Sequence, residues 1–483
     1  MAPPQRIVAV VGGGMAGLVA AETLLDAGRN GPRVVLVERT PRYGGVVETL
    51  SGDGWLIERS ADNFLVARPE GMALVERLGL SGELIAVEEK ARRALVCCRG
   101  QTLPVPSGFR LLAPGEPEGI RATDILSPEG KARVLAERGV APLGIGPATG
   151  DESLESFAIR RLGREAFDRL VQPLVAGIWT ADPAKLSMAA ACPEFLRMEQ
   201  EHGSLSVAEE DRLRRMGATH RAEGARYGQF VTLASGMGTI PARLAESLRR
   251  AGVDEREGAV SSIAREADGR WRIGMRLARG GEESMLADGV VVALPATVAA
   301  RVVADAPLAA ELAGIEYAGS VVVVMGYARG QVAHPLSAAG LVVPRIEGHH
   351  ALAVSFASSK FPGRAPAGHV LLRVFFGGAL DPERASLDDD RLVALAREEL
   401  ATLVGAEGPP RLVEVARWPG AMPQYHLGHL DRLARIEARL GALPGLALAG
   451  AAYEGVGIPQ VIASGQAAAA RVLESLGGVS AAG

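Results

Sequence analysis

Apolar runs alternate with helix-periodic stretches along the chain, and the pattern predicts parallel strands joined by helices. Ile7–Val11 is an uninterrupted, largely β-branched run, which is typical of a strand buried on both faces. Residues 18–27 follow with helical periodicity and stop at Gly28, and residues 34–37 form a second apolar strand. Residues 290–296 have the same continuous apolar character. We therefore predict an α/β fold built around a parallel sheet.

A glycine motif separates the first strand from the first helix. Gly12-Gly13-Gly14-Met15-Ala16-Gly17 fits the pattern G-x-G-x-x-G. Gly12 allows a tight turn, Gly14 lets a pyrophosphate touch the backbone, and Gly17 lets helix and strand pack closely. The helix N-terminus offers free N–H groups and a partial positive charge to that anion. Glu38 ends the second strand, where a carboxylate is expected to meet a ribose hydroxyl.

The order of these elements carries more weight than the glycines themselves. Glycine makes up 60 of 483 residues, so a glycine-rich turn without a ligand is the alternative interpretation. Strand, glycines, helix, strand and acid nevertheless occur in the order that a dinucleotide-binding fold requires. We therefore predict a bound dinucleotide.

Composition narrows the class of protein and its partners. Lys+Arg 52 against Asp+Glu 56 gives a formal charge of −4 without a large block of one sign, which argues against nucleic acid as a partner. The three cysteines lack zinc spacing and suggest no disulfide framework, so we expect buried small side chains, no metal site and a reducing cytoplasm. No apolar run approaches the roughly 20 residues of a membrane span. A cytoplasmic protein is expected, with peripheral attachment to the cytoplasmic face of a membrane left open.

The remaining patterns divide the chain into three interleaved units, because 483 residues are too many for one core. Residues 109–224 are rich in helical patterns, with a Pro/Gly loop at 141–150 and a polar stretch at 206–227 that is interpreted as solvated surface. Strands and helices alternate again from Phe230. The predicted units are a discontinuous nucleotide-binding domain (1–90, 225–300 and 440–483), a substrate-binding domain (91–108 and 301–439) and a helical domain (109–224).

Two further motifs specify the dinucleotide and a family. Arg42-Tyr43-Gly44-Gly45 resembles the extended flavin signature of the amine oxidase and phytoene desaturase superfamily, which indicates FAD rather than NAD. Near the other end, Gly450-Ala451-Ala452-Tyr453-Glu454-Gly455-Val456-Gly457-Ile458-Pro459 resembles the closing flavin motif of bacterial porphyrinogen oxidases. Residues 177–183, 358–362 and 417–429 are similar to the same family. The resemblance, to the protoporphyrinogen/coproporphyrinogen III oxidases, covers essentially the whole chain.

This resemblance implies non-covalent FAD in a discontinuous Rossmann-like domain of the amine oxidase type, beside a mixed-sheet substrate domain and a helical domain. Ser60 to Asn63 would pass near the isoalloxazine ring, Val260 would meet the adenine through its backbone, and Trp418 would lie against the cofactor. The implied cofactor-binding residues are Gly12, Gly14, Met15, Ala16, Gly17, Glu38, Arg39, Arg42, Gly45, Ser60, Ala61, Asp62, Asn63, Val260, Trp418, Val456, Gly457 and Ile458.

The substrate implied by the family is large, mostly apolar and rimmed by carboxylates, so a basic side chain is expected to pair with a propionate. Arg92 and Arg93 are the candidates, because the family carries an arginine in the strand predicted at 92–99. An alignment on the following Arg-Gly pair instead places Ala94 at that position, and both alternatives stay open. Gly177 is a third candidate, in the family's pocket motif, although the residues around it depart from the usual sequence.

The resemblance also implies the reaction. A porphyrinogen would be oxidised to a porphyrin in haem biosynthesis by three two-electron rounds, each passing a hydride to flavin N5, with O₂ reoxidising the flavin to give H₂O₂. No side chain is predicted as a dedicated acid or base, and His426 and His429 are interpreted as histidines at a domain seam. The expected partners are the porphyrinogen, O₂, a membrane surface and a ferrochelatase that receives the product.

Two other functions remain as alternatives at this point. The first is another flavoenzyme of the superfamily, an amine oxidase or a carotenoid desaturase. No cysteine follows Cys192, which argues against an amine oxidase with covalent flavin. The second is a non-catalytic tetrapyrrole-binding flavoprotein, against which the intact glycine motifs at both ends argue. The choice between coproporphyrinogen and protoporphyrinogen, and the oligomeric state, stay open.

Overall fold

One of the two main sheets has seven strands and forms an α/β layer with the helices that pack on it. The structure is a computed structural model that describes residues 5–28, 31–143, 150–216 and 229–477. In spatial order the strands are Glu282–Ala287, Trp271–Leu277, Asp254–Arg265, Arg33–Glu38, Ile7–Val11, Gly289–Val292 and Leu446–Leu448. The last five pair in parallel, and the first two extend the edge in antiparallel pairing. Strands from the start, middle and end of the chain therefore share one sheet.

Helices cover both faces of this sheet, so its central strands are buried on both sides, as their apolar runs predict. One face packs against Met15–Leu25, Pro69–Arg77, Thr239–Arg250 and Ile458–Ser475. The other face packs against Ala296–Val302, Ala306–Ala313 and His429–Gly441. The first and last helices lie side by side, and an added Cβ at Gly465 would come 2.4 Å from the carbonyl oxygen of Ala16.

A second seven-stranded sheet faces the carboxyl ends of the parallel strands. Its spatial order is Leu412–Pro423, Tyr317–Ala328, His369–Gly377, Ala353–Ser355, Gly340–Val342, Ala94–Cys98 and Gln101–Pro104. Every pair is antiparallel except Gly340–Val342 with Ala94–Cys98. Helix Asp389–Val404 covers one face of this mixed sheet.

Short strands and single turns connect these layers. The strands are Thr49–Gly52 with Trp55–Glu58; Phe64–Leu65, Phe230–Leu233 and Leu84–Ala86 in one sheet; and Phe109–Arg110 with Ala113–Pro114. The short helices are Ser81–Glu83, Glu89–Ala91, Arg329–Gln331, Arg345–Glu347, Ala357–Lys360 and Arg384–Ser386.

A helical unit packs against the Ala94–Cys98 end of the second sheet. It contains Pro117–Ala122, Pro128–Leu135, Ala136–Gly139, Leu154–Leu162, Arg164–Ala166, Phe167–Val171, Gln172–Trp179, Met188–Ala191, Pro193–His202 and Leu205–Met216. At its centre the fully buried Arg161 pairs with Glu137 and, at 3.1 Å, with Glu199. These buried ion pairs connect three segments of the unit, and removing one of the charges is expected to destabilise the fold strongly.

The structure confirms the predicted α/β architecture with a parallel sheet, a mixed second sheet and a helical part. Element boundaries differ: the first helix spans Met15–Leu25, the apolar run 290–296 is a strand only to Val292, and the strand predicted from Arg92 begins at Ala94. Parts of the predicted loop 141–150 and of the polar stretch 206–227 lie outside the described residues. Among the helices that are described, none is both long and apolar enough to cross a bilayer.

Candidate functional site

A mostly apolar cavity of about 620 Å³ lies between the two seven-stranded sheets. Three of its wall segments directly follow parallel strands of the first sheet: residues 14–16, 293–295 and 449–452. The second sheet contributes side chains from six of its strands. Ligands of parallel α/β sheets bind outside the carboxyl ends of the strands, so this cavity is the candidate functional site.

The three motif glycines are required for different physical reasons. Gly12 has φ +105°, and a Cβ there would lie 2.4 Å from the carbonyl oxygen of Ala293. A Cβ at Gly17 would lie 1.9 Å from the carbonyl oxygen of Gly12, so this glycine sets the distance between helix and strand. Gly14 differs, because a Cβ there would meet only the Cα of Gly45, at 3.9 Å, and otherwise enter the cavity. Gly14 therefore keeps space open for a ligand.

Two helix N-termini open onto the cavity. Met15–Leu25 follows Gly14, and Ile458–Ser475 follows Gly457; neither helix has a side-chain cap or an acidic residue in its first turn. Val456, Gly457 and Ile458 line the cavity together with Gly14, Met15 and Ala16. The backbone N–H groups at these ends have no side-chain acceptor, and they carry the positive end of the helix dipole. The arrangement suits an anionic ligand.

Glu38 and the Arg42 loop surround the glycine turn. The Glu38 carboxylate accepts a hydrogen bond of 2.7 Å from the backbone N–H of Gly13, which places it beside the motif. The N–H of Gly44 donates to the carbonyl of Gly13 at 2.8 Å, so the Gly-Gly pair closes over the turn. Arg42 donates to carbonyls of its own loop, including that of Gly45. Arg42 thus holds the loop closed, and the neighbouring Arg39 is exposed.

The segment Ser60 to Asn63 forms one wall of the cavity, as Trp418 does. The indole N–H of Trp418 donates to the carbonyl of Arg59 at 2.7 Å, which fixes the ring beside this segment. Asp62 pairs with Lys360 at 3.0 Å and with Arg373 at 3.1 Å. Burial would raise the pKa of Asp62, but the two cations outweigh it and hold that pKa below its usual range. The carboxylate is therefore ionised.

Lys360 and Arg373 are site residues that sequence reasoning missed. Lys360 ends the short helix Ala357–Lys360, and Arg373 lies in the strand His369–Gly377; both side chains line the cavity. A signal was present, because Arg373 is the one charged residue inside an otherwise apolar strand sequence, HVLLRVFFG. A charge in such a position requires a partner or a ligand.

Arg92 and Arg93 are not among the described residues that line the cavity, and their role as substrate-binding residues stays a prediction. Arg92 precedes the strand and donates to the carbonyl of Val87, and the exposed Arg93 donates to the carbonyl of Ser337 at 3.1 Å. Ala94 is the first strand residue, and its methyl group lines the cavity. Successive side chains of a strand point to opposite faces, so moving the register by one residue exchanges the cavity face for the outer face.

The other predicted residues lie in separate places. Gly177 lines the cavity, at the end of the helix Gln172–Trp179. The next turn contains Thr180, whose φ of 47° is unusual for a β-branched residue. Its buried hydroxyl has no hydrogen-bond partner in the part of the chain that the structure describes. Val260 lies outside the cavity, on the strand Asp254–Arg265 beyond the level of Glu38. His429 is buried and stacked on Tyr425 at 4.1 Å, away from the cavity wall.

Comparison with known proteins identifies the family. Residues 15–473 match the model of the flavin containing amine oxidoreductases. The chain belongs to this family. Its relatives include the coproporphyrinogen III oxidase of Bacillus subtilis (strain 168), with 30% identity over 99% of this chain and 100% of the relative. The protoporphyrinogen oxidase of Homo sapiens is 31% identical over 97% of this chain and 98% of the relative.

Solved structures agree at the level of the fold. A candidate protoporphyrinogen oxidase from Exiguobacterium sp. 255-15 superposes with a TM-score of 0.83 at 29% identity, covering 96% of this chain and 98% of that protein. Cyclohexylamine oxidase from Brevibacterium oxydans IH-35A has a TM-score of 0.68 at 18% identity, covering 98% and 100%. The predicted α/β architecture of the amine oxidase type is confirmed.

The cofactor of this family member is FAD, and the cavity fits it. Gly14 leaves room where the pyrophosphate must approach, and two uncapped helix ends supply N–H donors. Glu38 lies beside the turn, at the position of a ribose-binding acid. Among the described residues no group of histidine, cysteine and carboxylate side chains is arranged to hold a metal ion. The three cysteines are buried thiols.

Proposed function

We propose that this flavoprotein is an oxygen-utilising porphyrinogen oxidase of haem biosynthesis, which removes six electrons from coproporphyrinogen III or protoporphyrinogen IX and produces hydrogen peroxide. Relatives of nearly the same length with the corresponding names support the substrate class. The observation that carries the proposal is that the cavity of about 620 Å³ extends from the FAD cradle at Gly14 and Gly457 to the mostly apolar wall of the second sheet. A large, mostly apolar macrocycle needs such a cavity beside the flavin.

The protein's contribution is to bind, orient and exclude water. Bound FAD supplies the hydride acceptance that no side chain offers. The apolar walls from both sheets keep water from the reacting carbon and orient the macrocycle beside the flavin. Within the described part of the cavity wall, the only side chains that titrate are those of Asp62, Lys360, Arg373 and Tyr317. Since the wall contains no histidine, the proposal includes no dedicated protein base.

The proposed roles of the predicted residues follow from their positions. Gly12, Gly14 and Gly17 form the pyrophosphate turn, Met15 and Ala16 present backbone N–H groups, and Glu38 binds the ribose. Val456 to Ile458 close over the flavin, which Ser60 to Asn63 and Trp418 border. Arg42 and Gly45 stabilise the loop above the turn. Val260 and Arg39 remain candidates for the adenosine end, and Gly177 for the substrate pocket.

Domain organisation and partners form part of the same proposal. The membership of each sheet supports an FAD-binding domain of 1–90, 225–300 and 440–483, a substrate domain of 91–108 and 301–439, and a helical domain of 109–224. We further propose O₂ as the electron acceptor, a cytoplasmic location with contact to the membrane surface, and delivery of the porphyrin to a ferrochelatase.

A direct assay tests the function. The purified holoprotein is mixed in air with coproporphyrinogen III or protoporphyrinogen IX, and porphyrin fluorescence and peroxide are followed together. We expect three molecules of peroxide per porphyrin, because each round removes two electrons. A yellow, FAD-loaded protein that forms neither product from either substrate contradicts the proposal. Porphyrin formation that persists without oxygen, with another electron acceptor, contradicts only the oxidase assignment.

A further inference from the structure

Arg373 and Ser355 are neighbours on the cavity face of the second sheet. The two residues are directly opposite each other in the antiparallel pair His369–Gly377 and Ala353–Ser355, and both line the cavity. The same row continues through Gly340 to Ala94. Side chains opposite each other in neighbouring strands lie on one face, about 5 Å apart. Arg373 and Ser355 therefore lie next to each other on the same face of the sheet, at the cavity wall.

Both side chains keep a buried polar atom without a partner. Arg373 is only 2% exposed; its Nη1 pairs with Asp62 at 3.1 Å and its Nη2 donates to the carbonyl of Ser60. Among the described residues its Nε has no hydrogen-bond partner, and neither has the hydroxyl of Ser355. An unsatisfied buried donor costs free energy, and buried polar groups in proteins are nearly always paired. Two such donors side by side at a cavity wall indicate a ligand with acceptor oxygens.

The charges around these donors favour an anion. One carboxylate, that of Asp62, serves both Lys360 and Arg373. The neighbouring buried Arg364 has a carboxylate of its own in Glu58, at 3.9 Å. Burial raises the pKa of Glu58, so this second carboxylate does not add negative charge beyond what Arg364 compensates. The described ion pairs of this wall thus set three cations, Lys360, Arg364 and Arg373, against two carboxylates, which favours an anionic ligand.

We propose that Arg373 Nε and Ser355 Oγ bind one carboxylate of the porphyrinogen substrate. The inference rests on the proposed function and deepens it. The family's arginine was expected on the strand Ala94–Cys98, but this chain has the methyl group of Ala94 on that part of the cavity wall. Arg373 lies three strands away in the same row, roughly 14 Å at the usual strand spacing. The substrate carboxylate is therefore held at a different edge of the macrocycle.

The test compares binding of coproporphyrin III, which keeps the carboxylates of the substrate, with binding of its tetramethyl ester to the FAD-loaded protein. The variants are Arg373→Gln, Arg373→Lys, Ser355→Ala and Ser355→Asp, with Arg93→Gln for the rival arginine. We expect Arg373→Gln to weaken the binding of coproporphyrin III about 10- to 100-fold, because one charge-assisted hydrogen bond is lost. The affinity for the tetramethyl ester is expected to stay unchanged. Arg373→Lys is expected to restore part of the affinity.

Ser355→Asp tests the same subsite without removing the arginine. The aspartate carboxylate occupies the position that we assign to the carboxylate of the substrate. Ser355→Asp is therefore expected to weaken the binding of coproporphyrin III at least as much as Arg373→Gln does. Ser355→Ala is expected to lower the affinity for coproporphyrin III a few-fold. The two Ser355 variants decide the question if Arg373→Gln fails to retain FAD.

Three results overturn the subsite. The first is an acid affinity in Arg373→Gln and Ser355→Asp equal to that of the wild type. The second is a selective loss for the acid in Arg93→Gln. The third is an equal loss for acid and ester in Arg373→Gln together with a shifted flavin midpoint potential, which assigns Arg373 to the flavin. If the wild-type protein neither binds coproporphyrin III nor oxidises either porphyrinogen, the proposed function itself is contradicted. If the wild-type protein oxidises a porphyrinogen and the variants bind coproporphyrin III as tightly as it does, only the proposed subsite is contradicted.

Discussion

The substitution Gly14→Ala tests the space for the cofactor without disturbing the packing of the fold. Gly14 has φ −71° and ψ 178°, which alanine adopts without strain, and the added Cβ meets only a Cα at 3.9 Å. The methyl group nevertheless enters the space in front of the helix N-terminus, where a pyrophosphate oxygen must come within about 3 Å of a backbone N–H. Each charge-assisted hydrogen bond lost there is worth about 1.5–3 kcal/mol. We therefore expect FAD to bind about 10- to 150-fold more weakly.

The control is Gly17→Ala, in the same motif. Its Cβ would lie 1.9 Å from a backbone oxygen, so the helix must shift, at a cost of about 1–3 kcal/mol of folding free energy. Titration of FAD into the apoprotein measures affinity, and thermal unfolding of the apoprotein measures stability. We expect Gly14→Ala to lose affinity with unchanged apoprotein stability, and Gly17→Ala to lose stability. Normal FAD affinity in Gly14→Ala, or equal destabilisation by both variants, would refute the reasoning.

Three further predictions concern stability. Arg161→Met removes the arginine that pairs with the buried carboxylates of Glu137 and Glu199, of which Glu199 keeps its ion pair with Arg160 at 2.6 Å. It should lower the free energy of unfolding by about 3–5 kcal/mol in denaturant titrations, whereas the exposed Arg164→Gln should cost under about 1 kcal/mol. Burial lowers the pKa of His429 from 6.5 to about 4, so the unfolded chain takes up the proton before the folded chain does as the pH falls. The free energy of unfolding should therefore drop by on the order of 3 kcal/mol between pH 6.5 and about pH 4. His429→Phe should flatten this pH dependence. Thr180→Gly removes a left-handed β-branched residue and an unpaired hydroxyl, so the melting temperature should rise; a lower one contradicts the strain argument.

Local patterns predicted the parts of the site that depend on local structure. The first strand, the glycine turn and Glu38 occupy a continuous βαβ segment, where turn geometry and burial on both faces constrain the residue types. The closing motif before Ile458–Ser475 could be predicted for the same reason, since a glycine again precedes an uncapped helix start.

The substrate side of the cavity could not be predicted in this way. Arg93 and Ala94 are adjacent in sequence, and only the point at which the strand begins decides which of them faces the cavity. Lys360 and Arg373 meet Asp62 only because the second sheet is folded against a loop about 300 residues earlier in the chain. Such pairings are properties of the tertiary structure, and residue spacing contains no record of them.

The position of the last strand and helix has a consequence for biosynthesis. Leu446–Leu448 pairs with Gly289–Val292, and the last helix packs on the first, so the nucleotide-binding layer closes only when both have left the ribosome. Until then a nascent chain exposes an unpaired strand edge and the apolar face of Met15–Leu25, surfaces that chaperones recognise. Because the start of Ile458–Ser475 lines the flavin cavity, we expect FAD to bind only after this segment has folded, and a chain truncated before Leu446 should accumulate as an aggregating apoprotein.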